Sequence, residues 1–376
     1  MSLFISWLRL GSPTKKMDPC PCASHDSIDI VEKDDILRDQ RAEERAVQVQ
    51  NLVRRIVDTH TDLLRLPHLR PGKIINKLLG DLVTVCSDIY DREVVDAVLS
   101  HPGVNAILPS LRQICAQAES CLELHWAEHI VTGGPANPDD VLSRLRSFPY
   151  YDNYEELTRL ELCAILSATK STPRRVAFIG SGPLPLTSLC LLQALKRDVQ
   201  LARLSSPDPT SDSDSVSTPP PDPDPIVLNI DCDASAIAAS LTLCLALGDT
   251  ARGMEFVCAE ATAPILPASS TPTENDDDSD SDPAPPTRDL AEFDLVYMAA
   301  LVGMSQADKE RIVRRIAERM RPGALLVARS SWGMRTCLYP EVDLATEGLR
   351  DRLECCVVVH PYGQVVNSVI VARVRG

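Results

Sequence analysis

From residue 173 onward, short apolar runs alternate with stretches of helical period. The runs are Arg175-Val-Ala-Phe-Ile179, Ile226-Val-Leu-Asn-Ile230, Met254-Glu-Phe-Val-Cys258, Asp294-Leu-Val-Tyr-Met-Ala-Ala-Leu301, Ala324-Leu-Leu-Val-Ala328, Cys355-Cys-Val-Val-Val359 and Asn367-Ser-Val-Ile-Val-Ala372. Near-continuous apolar runs of this length read as strands buried on both faces. Helical patterns follow the first run and recur at 234–247 and 306–320. Alternation of this kind predicts an open α/β sheet, and the two runs close together at the end predict a C-terminal hairpin, seven strands in all. The chain from 35 to 170 reads differently. Its apolar residues recur with helical spacing over 42–66, 73–90, 92–100, 106–131, 138–147 and 151–169, and no set of six strands fits there. The expected organisation is a disordered tail at 1–34, an all-helical N-terminal domain at 35–172 and a Rossmann-like domain at 173–376.

The first strand breaks at Gly180-Ser-Gly182, with Pro183 and Pro185 stiffening the exit into a helical pattern. Glycines there let the backbone turn sharply and approach a ligand where a Cβ would collide. G-x-G alone also describes an ordinary strand-to-helix turn. The second strand ends in Asp231-Cys-Asp233, where an acid in dinucleotide and S-adenosylmethionine (SAM) folds accepts hydrogen bonds from ribose hydroxyls; a helix N-cap or a solvated turn acid is the other reading of Asp231. The strand count and the terminal hairpin favour a Rossmann-like sheet of the SAM-dependent methyltransferase type over a dehydrogenase. Many methyltransferases carry a third glycine where this chain has Leu184 and Pro185, which argues against ordinary methyl transfer.

Composition changes the picture at three places. Segments 205–225 and 267–289 are almost wholly Ser, Pro, Asp, Thr and Ala, and are expected to be disordered acidic insertions. The first holds five acids and no base, and the second seven acids against Arg288, so together they supply −11 of the formal net charge of −15. Acidity this local makes nucleic acid an unsuitable partner. The 13 cysteines include no C-x-x-C pair and read as reduced thiols of a cytoplasmic protein, with no protein-bound metal expected. Residues 2–10 are too short for a membrane span and lack a basic start, so neither a signal peptide nor a membrane partner is expected. The pattern is silent on oligomeric state.

Six motifs in order carry a family resemblance. Glu119-Ser-Cys-Leu-Glu-Leu-His-Trp-Ala127, Phe148-Pro-Tyr-Tyr-Asp-Asn-Tyr154, Val176-Ala-Phe-Ile-Gly-Ser-Gly-Pro-Leu-Pro-Leu-Thr187, Ala299-Ala-Leu-Val-Gly-Met304, Pro322-Gly-Ala-Leu-Leu-Val327 and Val365-Val-Asn-Ser-Val-Ile-Val-Ala-Arg373 together resemble nicotianamine synthase, over about 52–373. The resemblance implies an enzyme that joins the 3-amino-3-carboxypropyl parts of three SAM molecules into nicotianamine and releases methylthioadenosine. SAM would then be substrate rather than retained cofactor. The chemistry sets two demands. The γ carbon of the methionine part, not the methyl group, must be presented in line with an amine. The amine is largely protonated near neutrality, so a neighbouring base must take its proton.

The resemblance places that base at Glu123, four residues after Glu119 and so on the same helix face; by pattern alone Glu123 is equally a solvated helix carboxylate. It places the second catalytic group at Tyr154, as a relay of the amine proton to Glu123. Phe148 to Tyr154 holds three of only seven tyrosines, which also suits a packed hinge. For the donor, the expected binding set is Gly180, Ser181, Gly182, Pro183, Leu184, Asp231, Glu260 and Ala299. Glu260 stands where plant relatives commonly have Asp. Tyr150, Asn153 and Arg335 are the expected contacts of the second substrate, Arg335 as a bidentate grip on a carboxylate or else as a surface residue at a strand exit. The rival functions are a relative with another amino acid as acceptor and a catalytically silent SAM-binding protein.

Overall fold

The computed structural model describes residues 26–132, 137–205, 223–263, 289–363 and 365–376. Expectations for 1–25, 206–222 and 264–288, including Cys20 and Cys22 and most of both acidic segments, fall outside them. The chain forms two compact units, 1–50 and 51–376. In the first, the described part is the N-terminal portion of helix α1 (Asp26–Leu64). That helix begins at Asp26, earlier than the tail boundary at 34 anticipates.

The second unit holds the rest of α1, then α2 (Lys73–Ser87), α3 (Arg92–Ser100), α4 (Pro102–Val131), α5 (Pro138–Arg146) and α6 (Tyr151–Ala168), followed by the sheet. Helix starts follow local chemistry. At α4, the His101 side chain accepts from Gly103 N, and Pro102 occupies the first turn, where its missing N–H costs nothing; the helix therefore opens before Ala106. Asn137 with Pro138 does the same for α5.

The strands are β1 (Arg175–Ile179), β2 (Ile226–Asp231), β3 (Met254–Cys258), β4 (Leu295–Met298), β5 (Leu325–Ser330), β6 (Leu353–Val359) and β7 (Ser368–Val374), with α7 (Leu186–Ser205), α8 (Ala234–Leu247), α9 (Gln306–Arg319) and the short α10 (Glu347–Arg350) between them. Their order is β3-β2-β1-β4-β5-β7-β6. β1 to β5 pair in parallel, and β7 enters antiparallel between β5 and β6. All seven expected strands are present, and the last two form the expected hairpin. Alternate residues feed opposite faces. Val176, Phe178, Leu295, Tyr297, Leu325 and Val327 pack under α6 and α7, while Ala177, Ile179, Val296, Met298, Leu326 and Ala328 pack under α9. Each fully buried Leu, Ile or Phe side chain contributes about 1.5–3 kcal/mol. The apolar stretch Ala234–Ala251 is long enough to cross a membrane by length and composition. Here it is α8 and the turn after it, with Leu243, Cys244 and Leu247 in a core shared with α4 and α5.

One polar contact crosses these layers. Arg329 of β5 donates from Nε to Glu161 Oε1 at 2.7 Å and from Nη2 to Glu161 Oε2 at 3.2 Å, and also to Thr187 Oγ1 of α7 at 2.7 Å. Glu161 of α6 is fully buried. Removing one partner strands the other charge in the interior, which costs about 3–5 kcal/mol, whereas replacing both with apolar groups of similar volume costs far less. Urea unfolding of Glu161→Ala should therefore show a loss of about 3–5 kcal/mol, and Glu161→Leu combined with Arg329→Met a clearly smaller one. Equal losses would mean that the pair is not the tie between α6 and the sheet.

Candidate active site

Two cavities meet beyond the C-terminal ends of β1, β2, β4 and β5, where ligands bind in open parallel sheets. The first, of about 380 Å³, is lined by the loop after β1, the end of β2 and the loop after β4. The second, of about 760 Å³, opens between α2, α4 and the start of α6. Glu119, Glu123, Tyr154, Arg329, Tyr339 and Asn367 border both.

The first cavity is shaped by backbone. Gly180 and Gly182 both have positive φ, at 79° and 68°. A Cβ on Gly180 would stand 2.4 Å from Val302 Cγ2, and one on Gly182 would stand 2.6 Å from Glu123 Oε2. The second glycine is therefore what lets α4 bring its carboxylate against the loop. Asp231 receives Gly182 N on Oδ2 at 2.9 Å and Asp233 N on Oδ1 at 3.0 Å. The cap of α8 is Asp233, whose Oδ1 accepts from Ser235 N at 2.8 Å, so the N-cap reading of Asp231 is excluded. Ser181, Pro183, Leu184, Glu260 and Ala299 line the same cavity. Its far wall, the loop after β4, is held from beneath by Lys309 of α9. The fully buried Nζ donates to the carbonyls of Ala300 at 2.7 Å and Val302 at 3.1 Å. Burial, and secondarily Arg112, lowers this ammonium to about 7.

At the junction, Tyr154 donates from its hydroxyl to Glu123 Oε1 at 2.7 Å, so two groups 31 residues apart in sequence meet directly. Glu123 is pushed up to about 8, by burial first and then by the charge of Glu119, against the opposing hydrogen bond from Tyr154 and the charge of Arg329. Burial and the neighbouring carboxylates hold the Tyr154 phenol well above its usual value, so it stays protonated and donates. Arg329 remains charged: burial opposes it, but the Glu161 carboxylate more than offsets that.

Tyr150 and Asn153 line the second cavity. Tyr150 caps α6 and is half exposed. Phe148 packs edge-on against Trp126 of α4 at 5.4 Å and against Tyr150 at 5.7 Å, so the aromatic cluster forms a wall as well as a hinge. Arg335 is the exception among the expected residues. It is buried, lines neither cavity, and donates from Nη2 to the carbonyls of Ser87 at 2.9 Å and Gly363 at 3.2 Å. With Nη2 turned to two backbone carbonyls, Arg335 is a strut between α2 and the segment before β7, not a carboxylate grip. The arginine that borders the cavities is Arg329. Sequence reasoning passed over it, and also over Tyr339 and Asn367; an Arg inside a buried strand was the available signal. The buried Nδ2 of Asn367 has no partner among the described residues.

The family described as "Nicotianamine synthase protein" matches residues 43–266 and 279–376. Among similar proteins, nicotianamine synthase 9 of Hordeum vulgare is 32% identical over 88% of this chain and 80% of its own length. Nicotianamine synthase of Solanum lycopersicum is 32% identical over 86% of this chain and 83% of its own. A crystal structure of MtNAS in complex with MTA and tNA superposes with a TM-score of 0.61 at 20% identity, covering 87% of this chain and 98% of that one, a likeness of fold.

A buried acid whose proton affinity is raised on folding stabilises the fold fully below its unfolded value, and that contribution is lost as pH rises through the folded value. For Glu123 the window runs from about 4.5 to about 8. Glu123→Gln, which keeps a hydrogen-bonding partner for Tyr154 but carries no charge, should therefore melt at a higher temperature than wild type at pH 9, by up to a few kcal/mol of stability, and at about the same temperature at pH 4. Parallel melting curves across that range would show that Glu123 is not held neutral by burial.

Proposed function

The chain belongs to the nicotianamine synthase family, and from the junction of its two cavities we infer that Glu123 and Tyr154 carry the chemistry of that family's reaction here. The enzyme transfers 3-amino-3-carboxypropyl groups from SAM and releases methylthioadenosine, three SAM giving one nicotianamine. In each step an amine nitrogen bonds to the γ carbon of the methionine part, and the C–S bond breaks with its electron pair going to sulfur. The proton on nitrogen passes to the enzyme. Two such steps join molecules, and a third, internal one closes the four-membered ring. The product's amines and carboxylates suit it to chelating transition-metal ions.

In this reading the donor's adenosine lies in the smaller cavity, with Asp231 at the ribose hydroxyls, Glu260 at the adenine amino group, Ala299 on the opposite wall, and Ser181, Pro183 and Leu184 along the glycine loop. The growing acceptor occupies the larger cavity beside Tyr150 and Asn153, its carboxylate within reach of the free amide of Asn367. The helical stretch before 173 supplies the base, and the sheet part from 173 supplies the loop. The reduced thiols and the small-molecule substrates suit a cytoplasmic enzyme.

The observation that carries the reading is the 2.7 Å hydrogen bond between Tyr154 and Glu123. The phenol can take the proton of the attacking ammonium while passing its own to the carboxylate, and a carboxylate raised to about 8 is matched to an α-ammonium group, which titrates near ~8. Positioned acid–base groups contribute about 10²–10⁴-fold. With SAM as sole substrate, mass spectrometry should find methylthioadenosine and nicotianamine near three to one. Glu123→Gln should lose at least about 100-fold in kcat and Tyr154→Phe about 10-fold or more. S-adenosylhomocysteine among the products, or unchanged turnover in Glu123→Gln, would overturn the assignment.

A further inference from the structure

The junction holds two acid–phenol couples, and the proposed mechanism uses one. Glu119 lies one turn before Glu123 on α4 and also borders both cavities. Tyr339 donates to Glu119 Oε2 at 2.9 Å, in parallel with Tyr154 and Glu123. The second phenol is fixed in turn: Tyr339 N donates to the carbonyl of Arg335 at 3.2 Å, and its own carbonyl accepts from Ser331 Oγ at 2.7 Å. One rigid helix therefore presents two carboxylates to one chamber, each held by a tyrosine from a different part of the chain.

Two carboxylates one turn apart in a partly desolvated chamber repel, so the ionised state of one strengthens the hold of the other on a proton. The charged and titratable groups that face Glu123 are Glu119 on its own helix, Tyr154 from α6, Arg329 from β5, Asp231 from β2 and Tyr339 from the turn after β5. Arg329 is committed to Glu161, and Asp231 is taken up by two backbone N–H groups. Glu119 is the one whose carboxylate a phenol holds at the junction itself. Burial, the larger effect, raises the proton affinity of Glu119, and the Tyr339 hydrogen bond opposes it in favour of the charged form.

We propose that Glu119, held by Tyr339, is a positioning residue for the proton transfer: its negative charge, one turn from Glu123, is what lets Glu123 keep the proton that leaves the attacking amine. The proposal rests on Glu123 being the base. Glu119 itself gains and loses no proton in the cycle and touches no reacting atom. A carboxylate of ordinary acidity, near ~4, is a poor acceptor for a proton that an ammonium holds to ~8, and the like charge supplies part of the difference.

The test is the pH dependence of kcat/KM for methylthioadenosine release from SAM by the full chain, for wild type, Glu119→Gln, Glu119→Asp, Tyr339→Phe and Glu123→Gln, with folding checked by melting curves. Loss of the Glu119 charge makes Glu123 ionise at lower pH, so the acid limb of Glu119→Gln should move down by about one unit while its plateau falls. Tyr339→Phe removes the donor that favours ionised Glu119 and should move the limb the same way. Glu119→Asp, which keeps the charge, should hold the limb nearer to wild type. If Glu119→Gln does not fold, the Tyr339→Phe and Glu119→Asp profiles decide. Limbs that coincide with wild type in Glu119→Gln and Tyr339→Phe, or Glu119→Asp behaving like Glu119→Gln, overturn the proposal but leave the base reading standing if Glu123→Gln is inactive. An active Glu123→Gln removes both.

Discussion

The buried ion pair between Glu161 and Arg329 sets the geometry of the whole site. A guanidinium inside a sheet is tolerable only with a carboxylate in bidentate reach, so β5 fixes the rotation of α6 about its axis. Tyr154, Thr158 and Glu161 stand at i, i+4 and i+7, one face of one helix, and Thr158 Oγ1 donates to the Tyr154 carbonyl at 2.7 Å. With Glu161 locked onto the strand, Tyr154 falls two turns earlier on the same line, over the cavity junction. The apolar face of α6, with Leu157, Ala164 and Ile165 on the sheet, supplies the cohesion. The ion pair supplies the register, which non-directional burial cannot.

That register has an electrostatic consequence. A permanent positive charge at the junction lowers the proton affinity of both Glu119 and Glu123, yet burial of both, joined at Glu123 by the charge of Glu119, outweighs it. The pair therefore holds protons more strongly than exposed carboxylates do, although a guanidinium stands beside it.

The sheet was legible because its strands are buried on both faces and so read as unbroken apolar runs between turn residues. The turn at Gly180 and Gly182 and the place of Asp231 were legible for a related reason: a backbone turning through positive φ leaves glycine behind, and the acid sits at a strand end that the pattern locates. Pairs far apart in sequence were not legible. Nothing in Leu-Glu-Leu around Glu123 or Ala-Arg-Ser around Arg329 names Tyr154 or Glu161 as partner. Glu123 and Tyr154 were found through their motifs, not their pattern. Arg335 was chosen because an arginine past a strand end looks available, but the structure turns it toward two carbonyls, and the arginine that matters lies within the strand. Tyr339 escaped notice for the same reason, since its value comes only from where the turn after β5 places it against Glu119.

Strand order is that of a methyltransferase-type sheet, so on the proposed reading part of what diverts the reaction from the methyl group lies outside the sheet. The close approach of Gly182 and Glu123 supplies it. A side chain on that glycine would collide with the carboxylate, so Glu123 sits directly over the loop, and under the proposed donor placement it faces the amino-acid end. In-line attack on the γ carbon needs the acceptor amine, the carbon and the departing sulfur on one axis, and the larger cavity opens onto the loop from the side of Glu123. Under that placement two helices ahead of the sheet, α4 with Glu123 and α6 with Tyr154, fix where the proton goes.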